Sequence, residues 1–350
     1  MKNYIIAALI LFGMTACEQE MQSTPKDDTN YDMSGFVRGA DVSWLTEQEA
    51  SSVKFYNEEG TQMECLRLLR ELGMNAVRLR VWVNPADGWC NKEDVLMKAY
   101  RASKLGFRIM IDFHYSDEWA DPSNQNLPAE WDFDVDFYGE DMLESHVQSH
   151  TSEVLTLLKD QNIDVEWVQI GNETRYGMLW PYGKTLGGDF SGYAALHNAA
   201  YEKVKEIYPN AKVVVHVDRG HQIGGFNNHF NSLKNAGGKW DVIGMSFYPH
   251  WDESYTGANW KDFNDAVVAN MNTLANNFST EVMIVEAGTA WDDPYGDVMF
   301  ADLLTRAKGV SSCLGVMYWE PQCYNGWKSY QLGAFNNEGL PTDMLNAFKR

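Results

Sequence analysis

The fold of this chain is indicated by the stretch Glu166-Trp167-Val168-Gln169-Ile170-Gly171-Asn172-Glu173-Thr174, a short apolar run that ends abruptly in Gly-Asn-Glu. The run is typical of a strand, and it carries a glutamate at its carboxyl end. Parallel barrels place their catalytic side chains at the carboxyl ends of the strands. A second run, Glu281-Val282-Met283-Ile284-Val285-Glu286, ends in the same way. Glu173 and Glu286 are therefore candidate partners in one site.

Around these two runs, apolar strand-like segments alternate with amphipathic helical segments. The predicted strands are 36–42, 75–82, 107–113, 165–170, 211–217, 241–247, 281–286 and 313–319. The predicted helices are 61–72, 92–105, 141–160, 190–208, 225–235, 260–277, 297–308 and 341–349. This order favours the α/β class, as a single (β/α)8 TIM barrel rather than a doubly wound sheet. No second domain is indicated.

The N-terminus is predicted to be a targeting segment. Lys2 precedes the apolar run Ile5 to Phe12, which is too short to span a bilayer as a permanent helix. Met14-Thr15-Ala16-Cys17 resembles a bacterial lipobox, with Met14 in place of the usual leucine. We expect a signal peptide at 1–16, lipidation of Cys17, a flexible tether at 17–34 and the catalytic barrel at 35–350. The chain would then be an exported lipoprotein, at the outer membrane or cell surface of a Gram-negative bacterium.

The composition narrows the classes of partner. A formal net charge of −21 argues against nucleic acid and is compatible with a neutral ligand. Aromatic residues make up 13% of the chain, and many lie in predicted loops, where Trp and Tyr can stack on sugar rings. The sequence contains no CxxC, HExxH, GxGxxG or Walker pattern, so we expect no cofactor and no metal. Besides Cys17, the cysteines are Cys65, Cys90, Cys313 and Cys323. We expect mostly buried thiols, and a Cys65–Cys90 disulfide stays open.

Unusual polar and aromatic residues follow the carboxyl ends of several predicted strands. These segments are Val81-Trp82-Val83-Asn84-Pro85, His114-Tyr115-Ser116-Asp117-Glu118-Trp119-Ala120-Asp121-Pro122, Tyr248-Pro249-His250-Trp251 and Trp319-Glu320-Pro321. The connections from helix back to strand carry ordinary turn residues. One rim of the barrel is therefore predicted to hold the functional site.

Two carboxylates on opposing strand ends are what glycoside hydrolysis requires, because one protonates the leaving oxygen and the other attacks the anomeric carbon or activates water. Glu173 suits the acid/base role, since the neighbouring Asn172 can hold the 2-hydroxyl of the sugar. Glu286 suits the nucleophile.

The nucleophile must stay ionised, so it needs cationic or hydroxyl partners. Arg78 and Arg80 alternate with apolar residues on the second strand, which points both arginines and Trp82 into the barrel. Buried arginines need carboxylate partners. We expect Arg80, nearer the rim, to pair with Glu286, and Arg78 to pair lower down with Asp41 or Asp112.

Four more polar residues are candidates for the same interior. Tyr248 can donate to the nucleophile. Asp112 is expected in a salt bridge rather than in catalysis, and His216, in the middle of a strand, in a structural role. His114 fits a core histidine and a site residue equally well.

The motifs together resemble those of endo-β-1,4-galactanases, glycoside hydrolase family 53. The resemblance runs from about Gly35 to the C-terminus. Its motifs, beyond those already quoted, are Gly39-Ala40-Asp41-Val42-Ser43-Trp44, Val77-Arg78-Leu79-Arg80-Val81-Trp82-Val83-Asn84-Pro85, Val168-Gln169-Ile170-Gly171-Asn172-Glu173, Gly177-Met178-Leu179-Trp180-Pro181 and Gly315-Val316-Met317-Tyr318-Trp319-Glu320-Pro321.

The resemblance implies a retaining endo-hydrolase of β-1,4-galactan, the neutral side chain of pectin, with Glu173 as acid/base and Glu286 as nucleophile. It also implies that Trp82, Trp119, Trp251 and Trp319 lie along a sugar-binding cleft. The other residues expected to bind substrate are Asn172, Arg80, His114, Asp117 and Tyr248. Relatives carry a long calcium-binding loop after the seventh strand. Here that segment is short, and Asp292, Asp293 and Asp297 are more typical of a helix cap than of a calcium site. We therefore expect no calcium in this loop.

Two alternatives stay open, and a third is disfavoured. The barrel could act on another β-glycan, such as arabinogalactan, mannan or xylan, or it could be a glycan-binding lipoprotein without activity. A Ser-His-Asp hydrolase is disfavoured because no GxSxG elbow occurs. A monomer is expected, with galactan and, through the lipid, a membrane as partners.

Overall fold

Eight strands form the centre of the computed structural model, which describes residues 31–139 and 142–349. They are β1 (Val37–Asp41), β2 (Ala76–Val81), β3 (Arg108–Phe113), β4 (Trp167–Ile170), β5 (Lys212–Val217), β6 (Val242–Phe247), β7 (Glu281–Ala287) and β8 (Cys313–Trp319). All are parallel, and they close in the order β1-β8-β7-β6-β5-β4-β3-β2. The predicted (β/α)8 barrel is confirmed. The proposed signal peptide, Cys17 and most of the proposed tether lie outside the described residues.

The helices surround the barrel. They are α1 (Leu45–Ala50), α2 (Cys65–Glu71), α3 (Lys92–Lys104), α4 (Ala129–Tyr138), α5 (Met142–Asp160), α6 (Ser191–Ile207), α7 (Ile223–Asn235), α8 (Trp260–Phe278) and α9 (Gly296–Gly309). The predicted C-terminal helix is a 3-10 helix, Asp343–Lys349. Short hairpins join 55–56 to 62–63 and 177–178 to 183–184.

Helix α4 was not predicted. Its sequence alternates acidic and aromatic residues, which imitates the period of a strand. In the structure, Trp131 and Val135, one helical turn apart, are its buried residues. The segment therefore forms a helix because this narrow face is buried, although its alternating sequence is typical of a strand.

The barrel interior is built in two parts. At the N-terminal ends of the strands it is filled by an apolar cluster, namely Val37, Ala76, Met110, Trp167, Val214, Val242, Met283, Val285 and Met317. Two residues further along their strands lie Arg78, Asp112, Gln169 and His216, all fully buried. Because inward positions recur with a period of two, a polar layer lies between the apolar part and the rim. That layer carries the candidate site.

Two further features concern the whole described chain. Cys65, Cys90, Cys313 and Cys323 are buried free thiols, so the expectation of buried thiols holds and the Cys65–Cys90 disulfide is absent. Among the described residues, no helix combines the length and the apolar character that crossing a membrane requires.

Candidate active site

Glu173 is presented by a tight turn at the end of β4. Gly171 and Glu173 both have positive φ, +78° and +48°. A Cβ on residue 171 would lie 2.5 Å from Thr174 Cγ2, so the turn requires glycine there. The turn leads Glu173 into a cavity of about 200 Å³. The other residues that line it are Pro122, Asp218, Arg219, His221, Ser246, Tyr248, Trp251 and Asp252.

Glu286, on β7, is held by two donors. Its Oε1 lies 2.9 Å from Arg78 Nη2, and its Oε2 accepts from the Tyr248 hydroxyl at 3.0 Å. The prediction for Tyr248 is confirmed. The prediction that Arg80 pairs with Glu286 is wrong, because Arg78 occupies that position and the carboxylate nearest to Arg80 is Glu320, at 3.8 Å.

Arg78 is the cation of the polar layer. Besides Glu286, its guanidinium contacts Asp41 at 2.7 Å and Asp112 at 2.9 Å, so one positive charge faces three carboxylates. Burial raises the pKa of Glu286 to about 7, with Asp112 and Asp41 adding to the rise and Arg78 and Tyr248 opposing it. Asp112 has the salt-bridge role that the sequence predicted. The pairing of Arg78 with both aspartates also agrees with the prediction.

The two glutamates are close enough for direct displacement. A carboxylate oxygen of Glu173 and one of Glu286 lie within 4.8 Å of each other. Retaining glycosidases hold their carboxyl groups about 5 Å apart, whereas inverting enzymes leave about 6.5–9.5 Å for a water molecule. The geometry therefore fits retention, in which a glutamate attacks the sugar itself.

The two glutamates also differ in their surroundings. Burial raises the pKa of Glu173 well above its usual value, and the nearby charge of Glu286 raises it further. Arg78 lies beside the Glu286 carboxyl group, whereas no cation among the described residues forms an ion pair with Glu173. The Glu173 carboxyl group instead accepts a hydrogen bond from Ser246 Oγ at 2.5 Å. Two close carboxyl groups with unequal partners separate into an acid and an ionised base. Glu173 is thus suited to hold a proton while Glu286 is ionised.

Asn172 is fixed between the strands. Its Oδ1 accepts from Arg78 Nη2 at 2.9 Å and lies 3.2 Å from Gln169 Nε2, and its Nδ2 donates to Ala120 O at 2.8 Å. An amide nitrogen carries two hydrogens, so one remains for a ligand. The predicted contact with a sugar hydroxyl can therefore only be a donation from Nδ2.

His114 supports the rim from below. Trp82 Nε1 and the Ala120 amide both donate to its Nδ1 at 3.2 Å, which leaves the proton on Nε2 facing Asp112 at 3.1 Å. Burial lowers the pKa of His114, in keeping with a neutral ring. His114 is therefore a buried residue that orients Trp82. Its direct contact with substrate stays a prediction.

Asp117 links the loop after β2 to the start of α4 through two hydrogen bonds. Its Oδ1 accepts the amide hydrogen of Asn84, and its Oδ2 accepts that of Ala129, both at 2.9 Å. These bonds tie the loop after β2 to the first residue of α4. The predicted contact with substrate stays a prediction, since both oxygens already have donors.

A continuous aromatic wall lines one side of the rim. Trp44 lies 5.0 Å from Trp319 and 5.6 Å from Trp119 between ring centroids, and Trp319 lies 4.6 Å from Tyr330. The wall extends to the end of β7, which carries Glu286, since a Cβ on Gly288 would lie about 3 Å from both Tyr330 and Tyr248. We refer to Trp44, Trp82, Trp119, Trp319 and Tyr330 as the aromatic wall.

Arg80 lies beneath this wall. It is 1% exposed, and its guanidinium carbon is 4.1 Å from the centroid of Trp119 and 4.8 Å from that of Trp82. Cation–π attraction helps to compensate for the burial of this charge. Arg80 therefore contacts the rings of the aromatic wall, and its predicted contact with substrate stays a prediction.

Trp251 belongs to the other side of the site. It is 60% exposed, its ring lies 4.2 Å from that of Tyr248, and it lines the cavity of Glu173. Aromatic surfaces thus flank both Glu173 and Glu286.

Several residues of the site were missed by the sequence reasoning. Gln169 donates to Asp112 at 2.6 Å, and Ser246 joins Glu173 to His216, which was expected to be structural. Glu320 accepts the Trp44 amide hydrogen at 3.0 Å, and burial raises its pKa to about 8. Inward-pointing polar residues at the last positions of strands were the signal that could have found Gln169 and Ser246.

A metal is not required to explain the site. Within the described residues, one set of potential ligand atoms lies together, on Glu173, His216 and Glu286. Each already has partners. Glu173 accepts from Ser246, His216 contacts Ser246 and accepts from the Glu173 amide, and Glu286 contacts Arg78 and Tyr248. In the loop after β7, Asp293 accepts from Thr289 Oγ1 and from the Tyr295 amide, as a turn residue does. The absence of calcium from that loop stays a prediction.

A roomier cavity, of about 640 Å³, lies at the opposite end, where β5 and β7 begin. Four of its charged residues form two ion pairs, Lys212 with Glu281 at 2.6 Å and Lys205 with Asp241 at 2.7 Å. Surface ion pairs of this kind carry no chemistry, and barrel enzymes act at the other rim.

Comparisons with known proteins agree with this geometry. The family model described as glycosyl hydrolase family 53 matches residues 37–299. The chain is 31% identical over 343 residues to an arabinogalactan endo-beta-1,4-galactanase of Thermothelomyces thermophilus, covering 89% of this chain and 98% of that protein. It is 32% identical over 307 residues to one of Humicola insolens, covering 81% and 89%. A solved fungal beta-1,4-galactanase superposes with a TM-score of 0.81 at 29% identity, covering 91% of this chain and all of that one.

Proposed function

Because the chain belongs to glycosyl hydrolase family 53, we propose that it cleaves β-1,4-galactosidic bonds within galactan or arabinogalactan, with retention at the anomeric carbon. As a glycoside hydrolase it needs an acid and a nucleophile, and we assign these roles to Glu173 and Glu286. The observation that carries the assignment is the separation of their carboxylate oxygens, at most 4.8 Å, with Arg78 beside Glu286.

The reaction proceeds in two displacements. In the first, Glu286 attacks the anomeric carbon while Glu173 gives its proton to the glycosidic oxygen, and the leaving sugar departs. In the second, Glu173 removes a proton from water, the water oxygen attacks the anomeric carbon, and the bond to Glu286 breaks. Arg78 and Tyr248 hold the attacking carboxylate in place in its ionised form.

The aromatic surfaces support an internal point of attack. Trp251 lies beside the acid, and the aromatic wall reaches the nucleophile, so sugars can stack on both sides of the bond that is cut. The strong negative charge favours a neutral polymer over the acidic backbone of pectin.

A panel of polysaccharides tests the proposal. We expect oligosaccharides to be released from β-1,4-galactan, and proton NMR of the first product to show the β-anomer. Glu286→Gln and Glu173→Gln should each lose at least about 1000-fold in kcat, since each removes a reacting group. Preferred cleavage of mannan or xylan would move the substrate to another β-glycan. Binding of galactan without release of reducing ends would make the protein a glycan-binding module.

We also propose export of the chain, lipidation of Cys17 and a monomeric barrel. The support is the apolar run before Met14-Thr15-Ala16-Cys17 and the polar segment after it. Labelled palmitate should be incorporated by the wild type and not by Cys17→Ser, and fractionation should find the wild type in the outer membrane. Light scattering of the protein lacking residues 1–34 should give the mass of one chain.

A further inference from the structure

The carboxyl group of Glu173 is joined to a buried chain of polar side chains that neither displacement uses. Ser246 Oγ, on β6, donates to Glu173 Oε1 at 2.5 Å. On its other side, Ser246 Oγ lies 2.8 Å from Nε2 of His216, which projects from β5 and is fully buried. Three neighbouring strands therefore contribute to one line of hydrogen bonds that ends on the acid.

The direction of these bonds follows from the partners of His216 Nδ1. The backbone amide of Glu173 donates to that nitrogen at 3.3 Å. Gln169 Nε2 lies 3.0 Å away, but it has only two hydrogens and also faces Asp112 Oδ1 at 2.6 Å. Asn172 Oδ1 lies 3.0 Å from the ring nitrogen and already accepts from Arg78 Nη2. Nδ1 is thus an acceptor, and the proton of the neutral ring is on Nε2. The order of donation runs from His216 to Ser246 to Glu173.

We propose that His216 and Ser246 are positioning residues for the acid/base. Together they hold Oε1 of Glu173, keep Oε2 as the oxygen that gives and takes the catalytic proton, and stabilise the carboxylate each time that proton leaves. This inference rests on the proposed function and on the assignment of Glu173.

The proton balance is simple. In the first displacement the proton moves from Oε2 to the glycosidic oxygen, and in the second it returns to Oε2 from water. His216 and Ser246 keep their protons in both steps. A serine hydroxyl 2.5 Å from a carboxylate is a charge-assisted bond, stronger when the carboxyl group is ionised than when it is neutral. It therefore lowers the pKa of Glu173, against burial and the charge of Glu286, which raise it.

Other charged groups around this line of hydrogen bonds also act on Glu173 and His216. They determine the pKa values from which the effect of Ser246 is measured. Burial and Arg78 lower the pKa of His216 well below its usual value, which keeps the ring neutral. The titratable or charged groups facing the chain are Arg78 of β2, Asp112 of β3, His114 and Asp121 of the loop after β3, Asp218 after β5, Tyr248 after β6 and Glu286 of β7. None of them is altered when Ser246 is replaced.

The test is the pH dependence of kcat/KM on galactan. Its alkaline limb reports ionisation of the acid in the free enzyme. Ser246→Ala removes a hydrogen bond to a charged group, so the alkaline limb should move to higher pH by about one unit. His216→Leu should move the alkaline limb in the same direction by a smaller amount. His216→Gln, which keeps an N–H donor, should leave the limb at its wild-type position. Ser191→Ala, which removes a similar bond to Asp189 at 2.7 Å on the surface, is the matched control and should leave the limb in place.

A second measurement does not need substrate. Carbon-13 NMR of protein labelled at the glutamate carboxyl carbons, assigned with Glu173→Gln, should show a higher pKa of Glu173 in Ser246→Ala than in the wild type. A merely structural role would lower the rate at every pH and leave both the limb and this pKa in place, which overturns the inference. A wild type that cleaves no glycan would refute the proposed function instead, while the NMR titration would still decide the present point. If circular dichroism shows Ser246→Ala to be unfolded, the two His216 variants decide it.

Discussion

Replacement of Arg78 by lysine separates the observed ion pair from the one that the sequence suggested. The guanidinium of Arg78 makes five polar contacts, with Gln169 at 3.1 Å, Asp41 at 2.7 Å, and Asn172, Asp112 and Glu286 at 2.9 Å each. A lysine ammonium has three donors, so at least two of these contacts are lost. At about 1.5–3 kcal/mol for each bond to a charged group, the variant should lose about 3–6 kcal/mol of unfolding free energy. No discount for solvent applies, because Arg78 is fully buried.

The same change should alter the pH dependence of activity. Arg78 opposes the rise in the pKa of Glu286, which stands at about 7. A lysine at this position contacts Glu286 less closely, so that pKa rises further. Because Glu286 must be ionised to attack, the acid limb of kcat/KM moves to higher pH. Activity at pH 7 falls about fivefold for the first unit of the shift and about tenfold for each further unit.

The assays are urea unfolding followed by tryptophan fluorescence, and rates of reducing-sugar release from galactan between pH 4 and pH 9. Arg80→Lys is the matched control, since Arg80 lies on the same strand, is equally buried and does not contact Glu286. It should leave the acid limb in place. If the acid limb moves in Arg80→Lys and stays in place in Arg78→Lys, the ion pair between Arg78 and Glu286 is contradicted. The pairing of Arg80 with Glu286 that the sequence suggested would then be favoured.

Three further predictions concern the same site. Glu286→Gln should be more stable than the wild type at pH 8 but not at pH 4. Because the pKa of Glu286 is raised to about 7 in the folded state, the folded wild type binds more protons than the unfolded chain, and its free energy of unfolding falls by about 3 kcal/mol as pH rises from 4.5 to 7. Equal melting temperatures of the two proteins at pH 8 would contradict this. Tyr248→Phe removes the donor to Glu286 Oε2 and should lower kcat about 10-fold to 100-fold, whereas Tyr115→Phe, which loses only a bond to Thr151, should keep its kcat. Trp251→Ala should raise KM for galactan about tenfold with little change in kcat, since a stacking surface binds ground state and transition state alike; an unchanged KM would place the polymer elsewhere.

Much of the site could be predicted from the sequence because its signals are local. Gly171-Asn172-Glu173 and Glu286 each end an apolar run, and the end of a parallel strand is a place on the rim whatever the neighbours are. Tyr248 was predicted for the same reason, one residue beyond β6. For these residues the order along the chain already specifies the position in space.

The partners of the polar layer could not be predicted in this way. Ser246 lies beside Glu286 in the register of β6 and β7, yet its hydroxyl bonds to Glu173 from β4. His216 in the middle of β5 reads as an ordinary strand residue until the barrel places it behind the acid. The sequence pattern reports which side of a strand a residue faces, and it carries no information about which residue of another strand shares its layer.

The alternation of strand and helix segments, the inward side of the second strand and the two glutamates at strand ends follow from the amino-acid sequence, because periodicity and order are properties of the chain. The contact of Glu286 with Arg78 rather than Arg80 follows instead from the way the strands pack in the barrel. β2 and β7 are separated by β1 and β8 in the barrel, so their side chains meet across the interior, at a height set by the stagger of all the strands. That stagger leaves Arg78 among three carboxylates and Arg80 beneath the aromatic wall.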